Sequence, residues 1–170
     1  MLICGIVGWK NSGKTYFAQK LINYFNSKNL KVASIKHAHH EFDIDKPGTD
    51  SYLHRKAGSQ EILVSSSKRW VKIVELRDAQ ERKLNDLLDE LDSPDIVIVE
   101  GFKNESHPKI EIIKEGSNDY LFTKLNNIIG IVSDKKIDTL IPQFKKKSID
   151  SIAEHILNNL YFLAITTLSK

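Results

Sequence analysis

A chain of 170 residues has room for one ordinary hydrophobic core and not for two large independent ones. With 41% hydrophobic and 28% charged residues it can bury enough apolar surface to fold, which excludes the profile of a disordered tail. Lys plus Arg number 25 against 22 for Asp plus Glu, and a net charge of +3 so dispersed gives no basis for a nucleic-acid partner.

Cys4 is the single cysteine, which rules out an internal disulfide and a cysteine-based metal cluster and fits a reducing cytoplasm. The apolar stretch Leu2 to Val7 has no positively charged segment ahead of it and is too short for a signal peptide. No run approaches the roughly 18 apolar residues that cross a bilayer, and Thr166 and Thr167 break the apolar tail. A soluble cytoplasmic protein without a membrane partner is expected.

Leu2 to Val7 reads as a fully buried strand, and Lys14 to Asn26 as a helix with Phe17, Leu21, Ile22 and Phe25 on one face. Val32 to Lys36 is a second strand. Glu61 to Ser65 and Trp70 to Leu76 read as further strands joined by a turn at 66–69, extending the sheet or pairing with another copy of the chain. Leu84, Leu87, Leu88 and Leu91 mark an amphipathic helix, which Pro94 separates from a strand at Asp95 to Glu100. Lys109 to Lys114 reads as another such strand, with extending the sheet or pairing with another copy both open, and Ile128 to Val132 as a buried strand. Ser148 to Leu160 is a closing helix with Ile149, Ile152, Ile156, Leu157 and Leu160 inward. Short apolar strands alternating with helices predict an α/β fold, a mostly parallel central sheet flanked by helices. One domain is expected over 1–160, with a β-rich insertion around 60–76 and a C-terminal tail at 161–170.

Gly8-Trp9-Lys10-Asn11-Ser12-Gly13-Lys14-Thr15 fits GxxxxGK[ST], directly after a predicted strand and opening a predicted helix. The glycines permit backbone angles that turn successive N–H groups inward, and the helix N-terminus adds partial positive charge at the same point. Such a concavity suits a triphosphate. Lys14 would reach the β- and γ-phosphates, the Thr15 hydroxyl would enter the shell of Mg2+, and Lys10 would add charge at the rim.

Ligands of a parallel sheet collect beyond the carboxyl ends of its strands, so Glu100, ending a buried strand, is a candidate metal partner, directly or through water. Asp43 and Asp45 follow the second strand with both acids on one side, and either they reach the same metal or they belong to a solvated loop. In Lys36-His37-Ala38-His39-His40, three uses stand open: a metal site, a contact to phosphate or another anion, and a polar strand end.

Four pieces together resemble the molybdopterin-guanine dinucleotide biosynthesis adaptor proteins, the MobB family. They are Gly8 to Thr15; Lys36 to His40 leading into Phe42-Asp43-Ile44-Asp45-Lys46-Pro47-Gly48-Thr49-Asp50-Ser51; Arg55-Lys56-Ala57-Gly58; and Val99-Glu100-Gly101-Phe102-Lys103. The likeness runs from about residue 1 to 160. It implies a three-layer P-loop fold, GTP with Mg2+ as ligand and weak GTP hydrolysis. It also implies a homodimer assisting the guanylyltransferase that attaches GMP to molybdopterin. Carried over by position, Gly13, Lys14 and Thr15 would hold phosphates and Mg2+, with Glu100 close to the metal. The Asn-Lys-x-Asp tetrad of many GTP-binding proteins is absent, so base recognition must come from elsewhere; for Asp134, after the strand at 128–132, two readings stand open, a contact to the guanine edge and a plain turn.

Two other readings compete with a GTP-binding adaptor. A P-loop small-molecule kinase needs an acid for a hydroxyl proton and usually an arginine-bearing lid, and the chain has only Arg55, Arg69, Arg77 and Arg82. A GTPase that delivers nickel or zinc would use His37, His39 and His40.

Overall fold

In a computed structural model the structure describes residues 1–38 and 42–168, with side chains described as far as Tyr161. The chain divides into two compact units, one formed by Met1–His37 with Leu84–Lys170 and the other by Ala38–Lys83.

The first unit is built on a six-stranded sheet with every pairing parallel. Its strands are β1 (Leu2–Val7), β2 (Val32–Lys36), β5 (Ile96–Glu100), β6 (Lys109–Ile112), β7 (Ile128–Val132) and β8 (Gln143–Phe144), in the order β2-β5-β1-β6-β7-β8. Strands buried on both faces need apolar residues at successive positions, and Ile96, Val97, Ile98 and Val99 are all at most 1% exposed. Burying each such side chain contributes about 1.5–3 kcal/mol.

Helices α1 (Lys14–Ser27) and α4 (Ile149–Leu168) cover one face. Phe17, Leu21 and Phe25 of α1 meet Ile152, Ile156 and Leu160 of α4 above Cys4, Ile6, Ile98 and Ile110. Asn29, in the left-handed region at φ 60°, ends α1, and the Leu30 N–H returns to the Phe25 carbonyl. On the other face α3 (Leu84–Asp89) seats Leu84 and Leu88 against Ile35, Val97 and Val99. This is the three-layer arrangement that the alternation of strands and helices predicts.

The second unit holds α2 (Asp50–Lys56) and the hairpin β3 (Glu61–Ser65) with β4 (Trp70–Val74). Asp50 in the first turn of α2 and His54, Arg55 and Lys56 in its last complement the helix dipole. The hairpin is antiparallel, pairing Glu61 with Val74 and Ser65 with Trp70, and forms its own two-stranded sheet.

The sequence pattern places most of these elements within a residue or two. It misses α2, whose seven residues carry no buried side chain, and the two-residue β8. It also ends the last helix at Leu160, whereas α4 runs on to Leu168, so residues 161–168 continue a helix rather than begin a separate tail. Among the described residues no helix is long and apolar enough to cross a membrane.

Candidate functional site

β1 runs directly into the glycine-rich loop. Gly8 adopts φ +153°, and a Cβ there would meet the Ile112 carbonyl oxygen at 2.5 Å and Ser12 Oγ at 2.6 Å. Gly13 has open space around it, and its requirement is conformational: at φ +95° it turns the chain into α1, where its carbonyl accepts the Phe17 N–H. Asn11 is also left-handed, at φ 63°. The loop thereby curls its backbone around a concavity at the start of α1.

Three side chains line this turn. Ser12 is 7% exposed, and its hydroxyl has no hydrogen-bond partner among the described residues. Lys14 Nζ donates to the carbonyls of Gly8 and Trp9, both at 3.0 Å. Burial lowers the Lys14 pKa, Glu100 opposes that shift, and Lys36 and Lys103 add to it. An anion in the turn would relieve this cationic crowding. The Thr15 hydroxyl donates to Glu100 Oε1 at 2.9 Å.

Glu100 reaches this position because β5 lies between β1 and β2, in register with Ile6 on one side and Lys36 on the other. Its carboxylate is 14% exposed and lies 3.5 Å from Lys36 Nζ. A hydroxyl beside a carboxyl group is a donor set suited to a hard divalent cation such as magnesium, and polyphosphate suits the turn beside it. The unpartnered Ser12 hydroxyl fits the same ligand.

Downstream of Glu100, Gly101 takes φ +99° where a Cβ would lie 2.8 Å from His37 Cβ. The His37 ring stacks on Phe102 with centroids 4.6 Å apart, and its backbone N–H donates to the Glu100 carbonyl. His39 and His40, the rest of the histidine cluster, lie outside the described residues. Among the described residues no three His, Cys, Asp or Glu side chains converge as metal ligands.

Asp45 belongs to the second unit, where its carboxylate holds Arg55 with Nη2–Oδ1 at 2.8 Å and Nε–Oδ2 at 3.3 Å. Asp43 binds the same guanidinium at 2.9 Å. The two acids do share a side, as alternation predicts, and the cation that joins them is Arg55.

Asp134 follows β7 and lines a cleft of about 250 Å³ with Ile113, Tyr120, Ser133, Lys135 and Lys146. Its Oδ1 accepts the Lys146 backbone N–H at 3.0 Å. Trp9 of the loop reaches the residue before Tyr120 of the cleft: its indole N–H donates to the Asp119 carbonyl at 2.8 Å. Lys103 and Lys124 lie 5.5 and 5.6 Å from the centre of the same ring. Sequence reasoning names Trp9 and Lys103 within their motifs but misses that Trp9 meets Lys103, Lys124 and Asp119, because nothing local couples residues more than 90 positions apart. Glu111 did carry a signal: an acid inside an apolar strand must find partners.

A family model described as molybdopterin guanine dinucleotide synthesis protein B, MobB, matches residues 3–134. The chain belongs to this family. The molybdopterin-guanine dinucleotide biosynthesis adapter protein of Escherichia coli (strain K12) is 30% identical over 159 residues, 91% of this chain and 91% of its own length. The Haemophilus influenzae adapter protein is 37% identical over 110 residues, 64% of this chain and 61% of its own length. Among solved structures, a molybdopterin-guanine biosynthesis protein B superposes with a TM-score of 0.77 at 24% identity, covering 94% of this chain and all of that one. The Bacillus subtilis MobB structure gives 0.74 at 23% identity, covering 94% of this chain and 98% of that one. At these identities the structures establish the shared fold, and the α/β architecture expected for the family is the one observed.

Proposed function

We propose that this chain is a GTP-binding adapter in molybdopterin guanine dinucleotide synthesis. Its partners on this reading are the guanylyltransferase that joins GMP to molybdopterin, and molybdopterin itself, and it acts in the cytoplasm as a homodimer. The observation that carries the reading is the turn at 8–15, with Lys14 over it and Thr15 hydrogen-bonded to Glu100, in a member of the MobB family.

Backbone amides of Gly8, Lys10, Asn11, Ser12 and Gly13 would hold the phosphates, with Lys14 as the balancing charge and Lys10 at the rim. Thr15 and Glu100 would hold Mg2+, which supplies charge neutralisation on the phosphates. Asp45 is engaged by Arg55 within its own unit. Glu100 is tied to Thr15 and Lys36, an arrangement that suits holding a metal shell better than taking a proton from water. Slow hydrolysis and a role in presenting nucleotide follow.

Base choice falls to Asp134. β7 stands two strands from β1, about 10 Å along the sheet edge, a span that a ribose and α-phosphate cover. A carboxylate there accepts two N–H groups from the guanine edge, and adenine offers no such pair.

Calorimetric titration with GTP and with ATP, each with Mg2+, tests both steps. Lys14→Ala is expected to abolish binding of either nucleotide. Asp134→Ala is expected to lower GTP affinity about 10- to 100-fold while leaving ATP unchanged, the range for hydrogen bonds to a charged group. Equal affinity of the unaltered chain for GTP and ATP would sink the guanine assignment. Rapid phosphoryl transfer to an added metabolite would replace the adapter with a kinase. Stoichiometric nickel or zinc lost on replacing His37 would replace it with metal delivery.

A further inference from the structure

Strand β6 carries two charged side chains that are 1% exposed, Lys109 and Glu111, on the face opposite Ile110 and Ile112. They do not pair with each other. Lys109 Nζ donates to the carbonyls of Glu105, His107 and Asn126. Glu111 accepts the backbone N–H of Leu121 on Oε1 at 2.7 Å and that of Phe122 on Oε2 at 2.8 Å. Apolar residues of similar volume would fill this space at lower cost, so a buried carboxylate needs another reason to be there.

The reason lies in what those two amides begin. Leu121–Thr123 is a single 3-10 turn ending the segment 117–120, which hydrogen bonds tie to both parts of the site. Upstream, the Asp119 carbonyl accepts the Trp9 indole N–H, and the Asp119 carboxylate holds Lys124, itself close to the Trp9 ring. Beside it, Tyr120 lines the cleft that contains Asp134 and stacks on Phe122 at 5.2 Å. Glu111 therefore grips the turn that follows the Asp119 carbonyl, which receives the Trp9 side chain, and Tyr120 of the cleft wall.

We infer that Glu111 is a positioning residue that sets the 117–124 strap, and through it the placement of Trp9 and Tyr120, so that the phosphate loop and the base cleft accept one nucleotide together. This rests on the nucleotide reading above. Each oxygen of the carboxyl group accepts one amide, whereas a glutamine would turn its own NH2 toward one of them.

The test uses the full chain in a Trp70→Phe background, which leaves Trp9 as the sole tryptophan. Glu111→Gln is compared with its parent for binding of GTP and of tripolyphosphate, the latter engaging the phosphate loop alone, and for Trp9 emission. The expected result is a loss of GTP affinity of about tenfold, tripolyphosphate affinity within about twofold of the parent, and a shifted Trp9 emission. GTP and tripolyphosphate weakening in parallel, or neither changing, would overturn the inference and leave Glu111 a stabiliser of the fold. Lys14→Ala, measured alongside, separates the two levels. Its binding both ligands like the parent removes the nucleotide reading and this inference with it. Should Glu111→Gln not fold, the backbone amide resonances of Leu121 and Phe122 in the unaltered chain decide. They are expected to move on adding GTP more than on adding tripolyphosphate, and equal or absent movement overturns the assignment.

Discussion

At Gly8 the loop tolerates no side chain, because the missing Cβ leaves room for both a backbone carbonyl and a serine hydroxyl at about 2.5 Å. Gly8→Ala is therefore expected to cost about 1–3 kcal/mol of stability, the range for overpacking a close contact, and to weaken phosphate binding as the loop shifts. Thermal unfolding checks the first and calorimetry the second; an alanine variant melting with the parent would show that the loop relaxes freely. His107 makes a different prediction. Its ring nitrogens are buried and unpartnered among the described residues, and burial, with Lys109 adding to it, pushes its pKa from 6.5 down to about 4. The unfolded chain thus takes up this proton before the folded chain does. The folded state keeps its full advantage above about pH 6.5 and loses it as pH falls toward 4. His107→Leu is expected to flatten that part of the acid limb in melting curves between pH 7 and pH 4, and parallel curves for the two proteins would refute the assignment.

The hairpin β3–β4 is the element that its own unit least explains. A two-stranded sheet is marginal by itself, and this one leaves Leu63 69%, Val64 44% and Trp70 70% exposed, with only Ile62 buried. Its covering by a second copy of the chain is the reading that joins this exposure to the proposed homodimer. Leu63→Glu combined with Trp70→Glu is expected to halve the mass measured by light scattering while phosphate binding by the first unit persists. A dimer that survives both changes would place the contact elsewhere. β6 is the contrasting case: its apolar Ile110 and Ile112 face the α1 and α4 side, so the sheet is satisfied there while Lys109 and Glu111 are free to anchor loops. The pattern of this segment indicated a strand, and only the fold shows that it is buried and what its two charges tie.

Across the molecule, what could be read from the chain alone was whatever depends on neighbours in sequence. The strand, turn and helix at Leu2 to Ser27 follow from an apolar run, two glycines with positive φ and a 3.6-residue apolar spacing, and all three act within a few residues. Four segments in family order carried the rest of the identification. The tertiary structure decided which distant residues meet. Thr15 reaches Glu100 across 85 positions and Trp9 reaches Asp119 across 110, because the order β5-β1-β6 brings their strand ends together. That order is chosen by how the helices bury both faces of the sheet, a property of the whole core that no local window contains. For the same reason the partner of Asp45 was legible only in the folded unit: a carboxylate attracts any cation within reach, and the fold brought Arg55 there.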